Sequence, residues 1–349
     1  MEYKIGMIGC GTVGRGFLEI LLNKGPALKD RHGFEARLVA ISDKLKGSLL
    51  VPEGVDLRKL LGVLEVGGNL GAYPGGRSVK DKPLEPLDMI EQCDADIIAE
   101  LTYTDIKTAE PATGYIQKAL RSGKHVVTSN KGPAALHYQE IKKLADQNSR
   151  AFRIEGTVMS GTPVFSLFES GLAGSEVREV KGILNGTTNF ILSKMEEDGM
   201  EYVEALKLAQ KLGYAEADPT ADVEGFDALA KIVILSNVLM GASLKPLDIK
   251  PQGISRLSRQ DILKAKKENG RYKLIAQAKR DKDKVTAGVS PQKIPLSDPL
   301  AGVMGAHNAL TFDLDLLDKV TISGPGAGKI ETGFAILSDM LAIARKYGK

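Results

Sequence analysis

The sequence predicts an α/β chain, a doubly wound parallel sheet followed by a second domain of α+β character. Three observations carry this. An apolar run at residues 3–8 leads directly into the spacing Gly9, Gly11, Gly14 and on into a helical pattern marked by Val13, Phe17, Ile20 and Leu21. Strand, glycines and helix in this order form the dinucleotide-binding fingerprint of a Rossmann-type sheet. Apolar runs then alternate with helical periodicity to about residue 155, as βαβ units do. Beyond residue 156 that alternation stops, and strand-like runs crowd residues 272–322.

Composition bounds the function. A chain of 349 residues with 43% hydrophobic content can fill about two cores. The 47 basic and 44 acidic residues leave a net charge of +3, so nothing points to nucleic acid or an anionic membrane. No apolar run reaches membrane-span length, and the N-terminus enters a strand pattern without a secretory signal. Cys10 and Cys93 have no metal or redox spacing, which fits a reducing cytoplasm.

In the first domain, Gly9 permits a tight turn, Gly11 lets the backbone approach a pyrophosphate, and Gly14 lets the helix pack on the strand. Thr12 and Val13 open that helix, whose N-terminus would take the phosphates. Gly25 and Pro26 predict its end. A second strand at 38–42 ends at Asp43 and Lys44. An acid here favours the ribose of NAD, and a base favours the 2′-phosphate of NADP, so both cofactors stay open. Residues 47–91 read weakly, with the glycines between 67 and 76 marking a surface excursion. A third strand at 95–102 delivers Thr102 and Tyr103, and a helix follows at 109–120. A fourth strand at 125–129 ends at Ser129 and delivers Asn130 and Lys131 to the carboxyl edge, where ligands bind in such sheets. Lys131 at a strand end reads as functional rather than as a solvated loop lysine. A helix at 133–148 and a strand at 151–155 complete the domain.

The second domain spans 156–324. It starts with a helix from Gly161, then a strand at 177–184, and a turn at 185–189 leading into a helix. Tyr202, Leu206, Ala209 and Leu212 recur at helical spacing, and Gly213 stops that helix. Pro219 breaks the chain, and Asp222 is placed to cap the next helix, in which Asp227 and Lys231 share one face. An exposed pair at this spacing contributes little. However, Ile232, Val233, Ile234, Leu235, Val238 and Leu239 leave almost no polar face, which buries the helix. A buried lysine needs a partner or a task, and Glu216, Asp218 and Asp222 in the preceding loop are placed to form an ammonium pocket. Strand-like runs follow at 272–279, 285–289, 309–312 and 320–322. Residues 324–328, with three glycines, open an amphipathic helix at 330–347. They read either as a second anion or ring contact or as a plain loop.

The stretch containing Ala209, Gly213, Tyr214, Ala215, Asp218, Pro219, Asp222, Val223, Gly225, Asp227 and Lys231 resembles the homoserine dehydrogenase signature without a miss. The resemblance extends over residues 9–14, 127–131, 155–163, 182–189, 299–303 and 324–328. It implies reversible NAD- or NADP-dependent reduction of L-aspartate 4-semialdehyde to L-homoserine. It also implies catalytic Lys231 and Lys131, with Asp227 holding Lys231. Glu216 and Asp222 would take the substrate ammonium, and Thr187, Gly186 and Tyr214 would line the same site. Glu155, Val158, Ser160 and Thr162 match a monovalent cation site of backbone carbonyls, suited to Na+. Gly328 would pack near the cofactor, returning the helix at 325–349 to the first domain (1–155). The resemblance further implies a homodimer through the second domain, and neither an aspartate kinase nor a regulatory ACT domain fits within the 349 residues.

Two rival enzymes and one rival of another class bear on this reading. A phosphorylating semialdehyde dehydrogenase needs a nucleophilic cysteine, and neither Cys10 nor Cys93 is placed for it. A lactate-type enzyme needs a histidine base, and His125 begins a strand rather than ending one. A nicotinamide-binding sensor without chemistry would leave the polar set broken, whereas Glu216, Asp227, Lys131 and Lys231 are all present.

Overall fold

The computed structural model describes residues 1–74 and 84–348. The chain forms two compact units, one of residues 1–161 with 328–349 and one of residues 162–327.

The first unit opens with β1 (Glu2–Ile8), α1 (Thr12–His32), β2 (Glu35–Asp43), β3 (Gly47–Leu50), α2 (Leu57–Glu65) and α3 (Pro86–Gln92). It continues with β4 (Ile97–Glu100), α4 (Ala112–Arg121), β5 (His125–Thr128), α5 (Lys131–Leu136), α6 (Tyr138–Gln147) and β6 (Phe152–Arg153). The sheet order is β3-β2-β1-β4-β5-β6, with only β3 antiparallel to its neighbour. The order reverses between β1 and β4, and in such sheets the crevice at the carboxyl ends of those strands is the binding position. The doubly wound parallel sheet is therefore present as predicted.

Several local expectations change. Helix α1 runs through Gly25 and Pro26 and stops at Gly33, which adopts φ 59° and donates its N–H to Lys29 O at 2.9 Å. Leu28 lies seven residues beyond Leu21 and continues the buried stripe, so packing carries the helix past its predicted stop. The helix expected at 133–148 breaks at His137 (φ −130°) into α5 and α6. The last strand contracts to Phe152–Arg153, followed by a 3₁₀ turn over Glu155–Thr157. The excursion near residue 70 holds one 3₁₀ turn, Leu70–Ala72, whose Leu70 is buried. Gly75 and Gly76 lie outside the described residues.

The second unit holds α7 (Phe165–Ser170), β7 (Val177–Ile183), α8 (Gly186–Glu197), α9 (Tyr202–Lys211), α10 (Thr220–Val223), α11 (Phe226–Leu239) and α12 (Arg259–Lys267). It ends with β8 (Gly270–Asp281), β9 (Lys284–Pro295), β10 (His307–Leu314) and β11 (Asp318–Pro325). These strands form an antiparallel sheet in the order β11-β10-β7-β8-β9. This is the α+β domain expected from the sequence. Helix α7 starts at Phe165 rather than Gly161, beyond Pro163, which disfavours helical geometry for Thr162 before it. Every residue from Ala228 to Asn237 in α11 is buried, as the apolar run predicts. Asp222 does not cap α11. Gly225, with φ 83°, occupies the cap position, and Asp222 lies inside the short α10.

The last helix, α13 (Lys329–Tyr347), belongs to the first unit, and its Ile336, Leu337, Met340 and Ile343 join that unit's core. It crosses α1 with almost no space between backbones. A Cβ on Gly16 would lie 2.0 Å from Lys329 O, and one on Gly333 would lie 2.6 Å from Phe17 N.

Candidate active site

The crevice in the first unit is shaped by its glycines. Gly9 has φ 88°, and a Cβ there would lie 2.6 Å from Leu101 O, so the turn after β1 admits only glycine. A Cβ on Gly14 would meet Gly9 O at 3.1 Å and Met7 Sδ at 3.3 Å, so α1 packs tightly on the strand. A Cβ on Gly11 would meet nothing within 4 Å. Exposed Gly11 and Thr12 therefore leave open space at the N-terminus of a 21-residue helix, a position that favours an anion. Val13 is half-buried beside them.

Asp43, at the end of β2, is more constrained than its sequence position suggests. It accepts the Cys10 backbone N–H at 2.7 Å, Leu45 N–H at 3.0 Å and Lys46 N–H at 2.9 Å. Burial acts to raise its pKa, but these three hydrogen bonds together hold it below the ordinary aspartate value. Asp43 thus ties the glycine loop to the end of β2, while Lys44 beside it is exposed.

At the carboxyl edge of β4 and β5, buried Asn130 organises the chain. Its side chain donates to Tyr103 O at 3.3 Å and Thr102 O at 3.5 Å, and accepts Gly132 N–H at 3.1 Å as the cap of α5. Lys131 follows as the first residue of α5, with its N–H 3.4 Å from Thr104 Oγ1. Ser129 and Thr102 are half-buried, and Tyr103 is 93% exposed. Gly328, with φ 145°, caps α13. Of the candidate cation residues, Glu155, Val158 and Ser160 are buried in the first unit and Thr162 lies in the second. The Ser160 hydroxyl pairs with Thr332 at 2.8 Å within the first unit, and Thr162 Oγ1 donates to Pro325 O at 3.2 Å within the second.

The second unit gathers the signature residues. Lys231 is buried and donates to Asp227 Oδ2 at 2.7 Å and Leu184 O at 2.8 Å. Asn185 caps α8 by accepting Thr188 N–H at 2.9 Å, and its amide donates to Asp222 Oδ1 at 2.7 Å and Asp227 Oδ2 at 3.0 Å. Burial raises the Asp222 pKa, and the nearby Asp227 charge raises it further. Thr187 Oγ1 donates to Tyr214 O at 2.6 Å, which fixes the Tyr214 loop on α8. The Tyr214 ring is tilted over Phe190 at 4.8 Å. A Cβ on Gly186 would lie 2.6 Å from Ala306 O, so the N-terminus of α8 requires glycine there.

One expectation is corrected. Asp218 is exposed and accepts the Thr220 N–H at 3.1 Å, which makes it a turn residue rather than a pocket wall. Glu216 is exposed, and its backbone O accepts the Gln210 side-chain amide at 3.0 Å. The sequence reading did not single out Asn185, although an Asn before Gly-Thr-Thr is a helix-cap signal. It also passed over Glu100, an acid inside an otherwise apolar strand.

The rival chemistries lack their groups. Burial pushes the Cys10 thiol up to about 11 and also raises Cys93, so neither supplies a ready thiolate. His125 accepts Ala151 N–H at 2.9 Å, and burial, helped by Arg150, lowers it to about 4. It is a structural imidazole. Among the described residues no helix is long and apolar enough to cross a membrane.

The profile described as homoserine dehydrogenase, NAD binding domain, matches residues 9–155, and that described as homoserine dehydrogenase matches residues 163–341. The chain is 46% identical over 345 residues to the NAD(+)-dependent homoserine dehydrogenase of Pseudomonas canavaninivorans, covering 98% of this chain and 96% of the relative. It is 40% identical over 337 residues to the homoserine dehydrogenase of Methanocaldococcus jannaschii, covering 97% of each. Its fold is similar to a hyperthermophilic archaeal homoserine dehydrogenase in complex with NADPH, with TM-score 0.82, 29% identity, and coverage of 99% and 98% of the two chains.

Proposed function

The chain belongs to the homoserine dehydrogenase family, and from that premise we propose how its residues divide the work. It is an NAD(P)-dependent oxidoreductase that interconverts L-aspartate 4-semialdehyde and L-homoserine. The reading finds no support for a cofactor-binding sensor without chemistry.

The first unit holds the dinucleotide. Gly9, Gly11, Thr12, Val13 and Gly14 receive the pyrophosphate, and Asp43 and Lys44 face the adenosine ribose. Thr102, Tyr103, Ser129, Asn130 and Lys131 form the nicotinamide end, with Gly328 contributing backbone. The bound dinucleotide gives or takes the hydride. The second unit holds the amino acid, with Asp222 and Glu216 taking the ammonium and Gly186, Thr187 and Tyr214 lining the site. For Glu216 this requires its exposed loop to move inward, since free Glu216 lies in solvent.

When semialdehyde is reduced, the carbonyl oxygen gains charge and needs a proton. Lys231 gives it. Two of its three ammonium donors are committed to Asp227 and Leu184, which aims the third. Asp227 holds the lysine in place, and Asn185 holds Asp227. Lys131 places the hydroxyl and the nicotinamide. The observation that carries this assignment is the unbroken hydrogen-bonded chain Asp222, Asn185, Asp227, Lys231, in which Asn185 and Lys231 are buried and the two aspartates half-buried. The test is homoserine-dependent reduction of NAD and of NADP, which we expect with at least one of them. A folded protein that binds either cofactor but turns over with neither returns the sensor reading.

Na+ held by the carbonyls of Glu155, Val158, Ser160 and Thr162 would have a structural role. The protein assembles as a homodimer through the second unit. Its sheet has two open edges, β9 and β11, and Val203, Phe226, Leu247, Leu316 and Leu317 are exposed in that unit. Sedimentation at micromolar concentration should give twice the chain mass, and a folded monomer there rejects this. Two free, buried cysteines are in keeping with a cytoplasmic enzyme.

A further inference from the structure

Glu100 ends β4, beside the point where strand order reverses. It is 0% exposed, and among the described residues no cation pairs with it. A lone carboxylate in a protein interior is costly, so its surroundings need to account for it. Oε1 accepts the backbone N–H of Thr102 at 2.9 Å and also the Thr102 hydroxyl. Oε2 lies 2.8 Å from Thr128 Oγ1, and the backbone O of Glu100 lies at the same 2.8 Å from that hydroxyl. Thr128 Oγ1 in turn accepts Asn130 N–H at 2.9 Å. The Asn130 side chain closes the circuit by donating to Thr102 Oγ1 at 3.4 Å.

The protons can be counted. Thr128 has one hydroxyl proton and two acceptor oxygens within reach. Given to either Glu100 oxygen, it leaves the other facing Thr128 Oγ1 at 2.8 Å with no proton between them. A proton on Glu100 Oε2, donated to Thr128 Oγ1, fills that contact and removes the buried charge. Burial also drives this carboxyl toward its protonated form, against the pull of the Thr102, Thr128 and Asn130 hydrogen bonds.

We propose that Glu100 is a positioning residue that works as a neutral carboxylic acid, locking the ends of β4 and β5 into one platform for the nicotinamide end of the cofactor. The proposal rests on the reading that Thr102, Tyr103, Asn130 and Lys131 form that end. Glu100 itself touches no reacting atom. It sets Thr102 directly and Asn130 both through Thr128 and through the Asn130 side chain, and Asn130 caps the helix that begins with Lys131.

The experiment compares E100Q, E100L and Thr128→Val, with KM for NADH, NADPH and homoserine measured separately and folding followed by thermal melting. The E100Q amide can accept from Thr102 and donate to Thr128, so it should rescue the site, with cofactor KM and kcat within about threefold of wild type. E100L and Thr128→Val break the circuit and should raise cofactor KM about tenfold or more while leaving homoserine KM in place. E100Q as damaged as E100L, or unfolded, overturns the neutral acid. A folded E100L with normal cofactor KM overturns the positioning role. If E100L does not fold, Thr128→Val decides, and an unchanged cofactor KM in it overturns the role equally. Asn130→Ala separates the proposal from its premise. If it leaves cofactor KM unchanged, the assigned nicotinamide end is wrong. If it raises cofactor KM while E100L and Thr128→Val do not, that assignment stands and the proposal falls.

Discussion

At the scale of single residues, Lys231 is the sharpest point of the mechanism. It is held at 2.7 Å by Asp227 and at 2.8 Å by a backbone carbonyl, so its position is fixed before substrate arrives. Lys231→Arg keeps the charge, but a guanidinium does not release a proton near neutral pH. Turnover should fall roughly 10²–10⁴-fold, the usual range for losing a general acid. Cofactor KM should stay near its wild-type value, because the glycine loop is in the other unit. Near-normal turnover in Lys231→Arg, together with loss of turnover in Lys131→Arg, would reverse the assignment and leave Lys231 as the electrostatic partner of Asp227. Asp43 carries a second lesson at this scale. An acid at the end of the second strand reads as a ribose ligand, yet it accepts one hydrogen bond from the glycine loop and two from its own turn. Replacing Asp43 therefore also disturbs the glycine loop through Cys10.

At the scale of elements, the contact between α1 and α13 depends on two residues without side chains. Gly16→Ala would drive a methyl group to 2.0 Å from Lys329 O, and Gly333→Ala one to 2.6 Å from Phe17 N. Each forces the helices apart, and overpacking of this kind costs about 1–3 kcal/mol. A lowered melting temperature in both variants is expected, and one as stable as wild type would show that the helices can separate freely. Elements with one strong signal were legible in the sequence. The glycine loop, the strand ends carrying Thr102 and Asn130, and the buried α11 all follow from local pattern. Elements fixed by their surroundings were not. Strand β3 has four residues and exists because its backbone pairs with β2, and α12 has few apolar positions and leans on Ile262 and Ala265 alone. Asp222 shows the same limit inside the site. Its spacing before a helix reads as a cap, but Gly225 at φ 83° makes the turn instead and frees the carboxylate for Asn185. The exposed position of Glu216 depends on how one loop folds back on Gln210, which spacing does not encode.

At the scale of the molecule, two buried groups of the first unit set opposing pH responses. His125 is lowered to about 4 from its ordinary 6.5, so between these values the unfolded chain holds a proton the native protein does not. Its contribution makes stability rise with pH across that window. Asp339 is raised to about 7 from 3.8, chiefly by burial, which outweighs the pull of Arg153 at 2.8 Å, and Glu155 adds to the rise. The native protein then holds the proton that the unfolded chain has lost, and stability falls as pH rises toward 7. Each effect is on the order of 3 kcal/mol, so they largely cancel between about pH 4.5 and 6.5. Urea melts across that range should show His125→Asn losing stability with rising pH relative to wild type, and Asp339→Asn gaining it. Parallel slopes in all three proteins would mean that neither group titrates there. The discontinuous build of the first unit has a consequence for biogenesis. A ribosome delivers residues 162–327 whole before α13 emerges, and that segment already contains every strand of its own sheet. The first unit begins earlier but cannot seal its interior until Ile336, Leu337, Met340 and Ile343 arrive. Order of synthesis and order of completion are thus inverted, and a nascent chain stalled before residue 329 should carry a protease-resistant second unit while residues 1–161 remain open to cleavage.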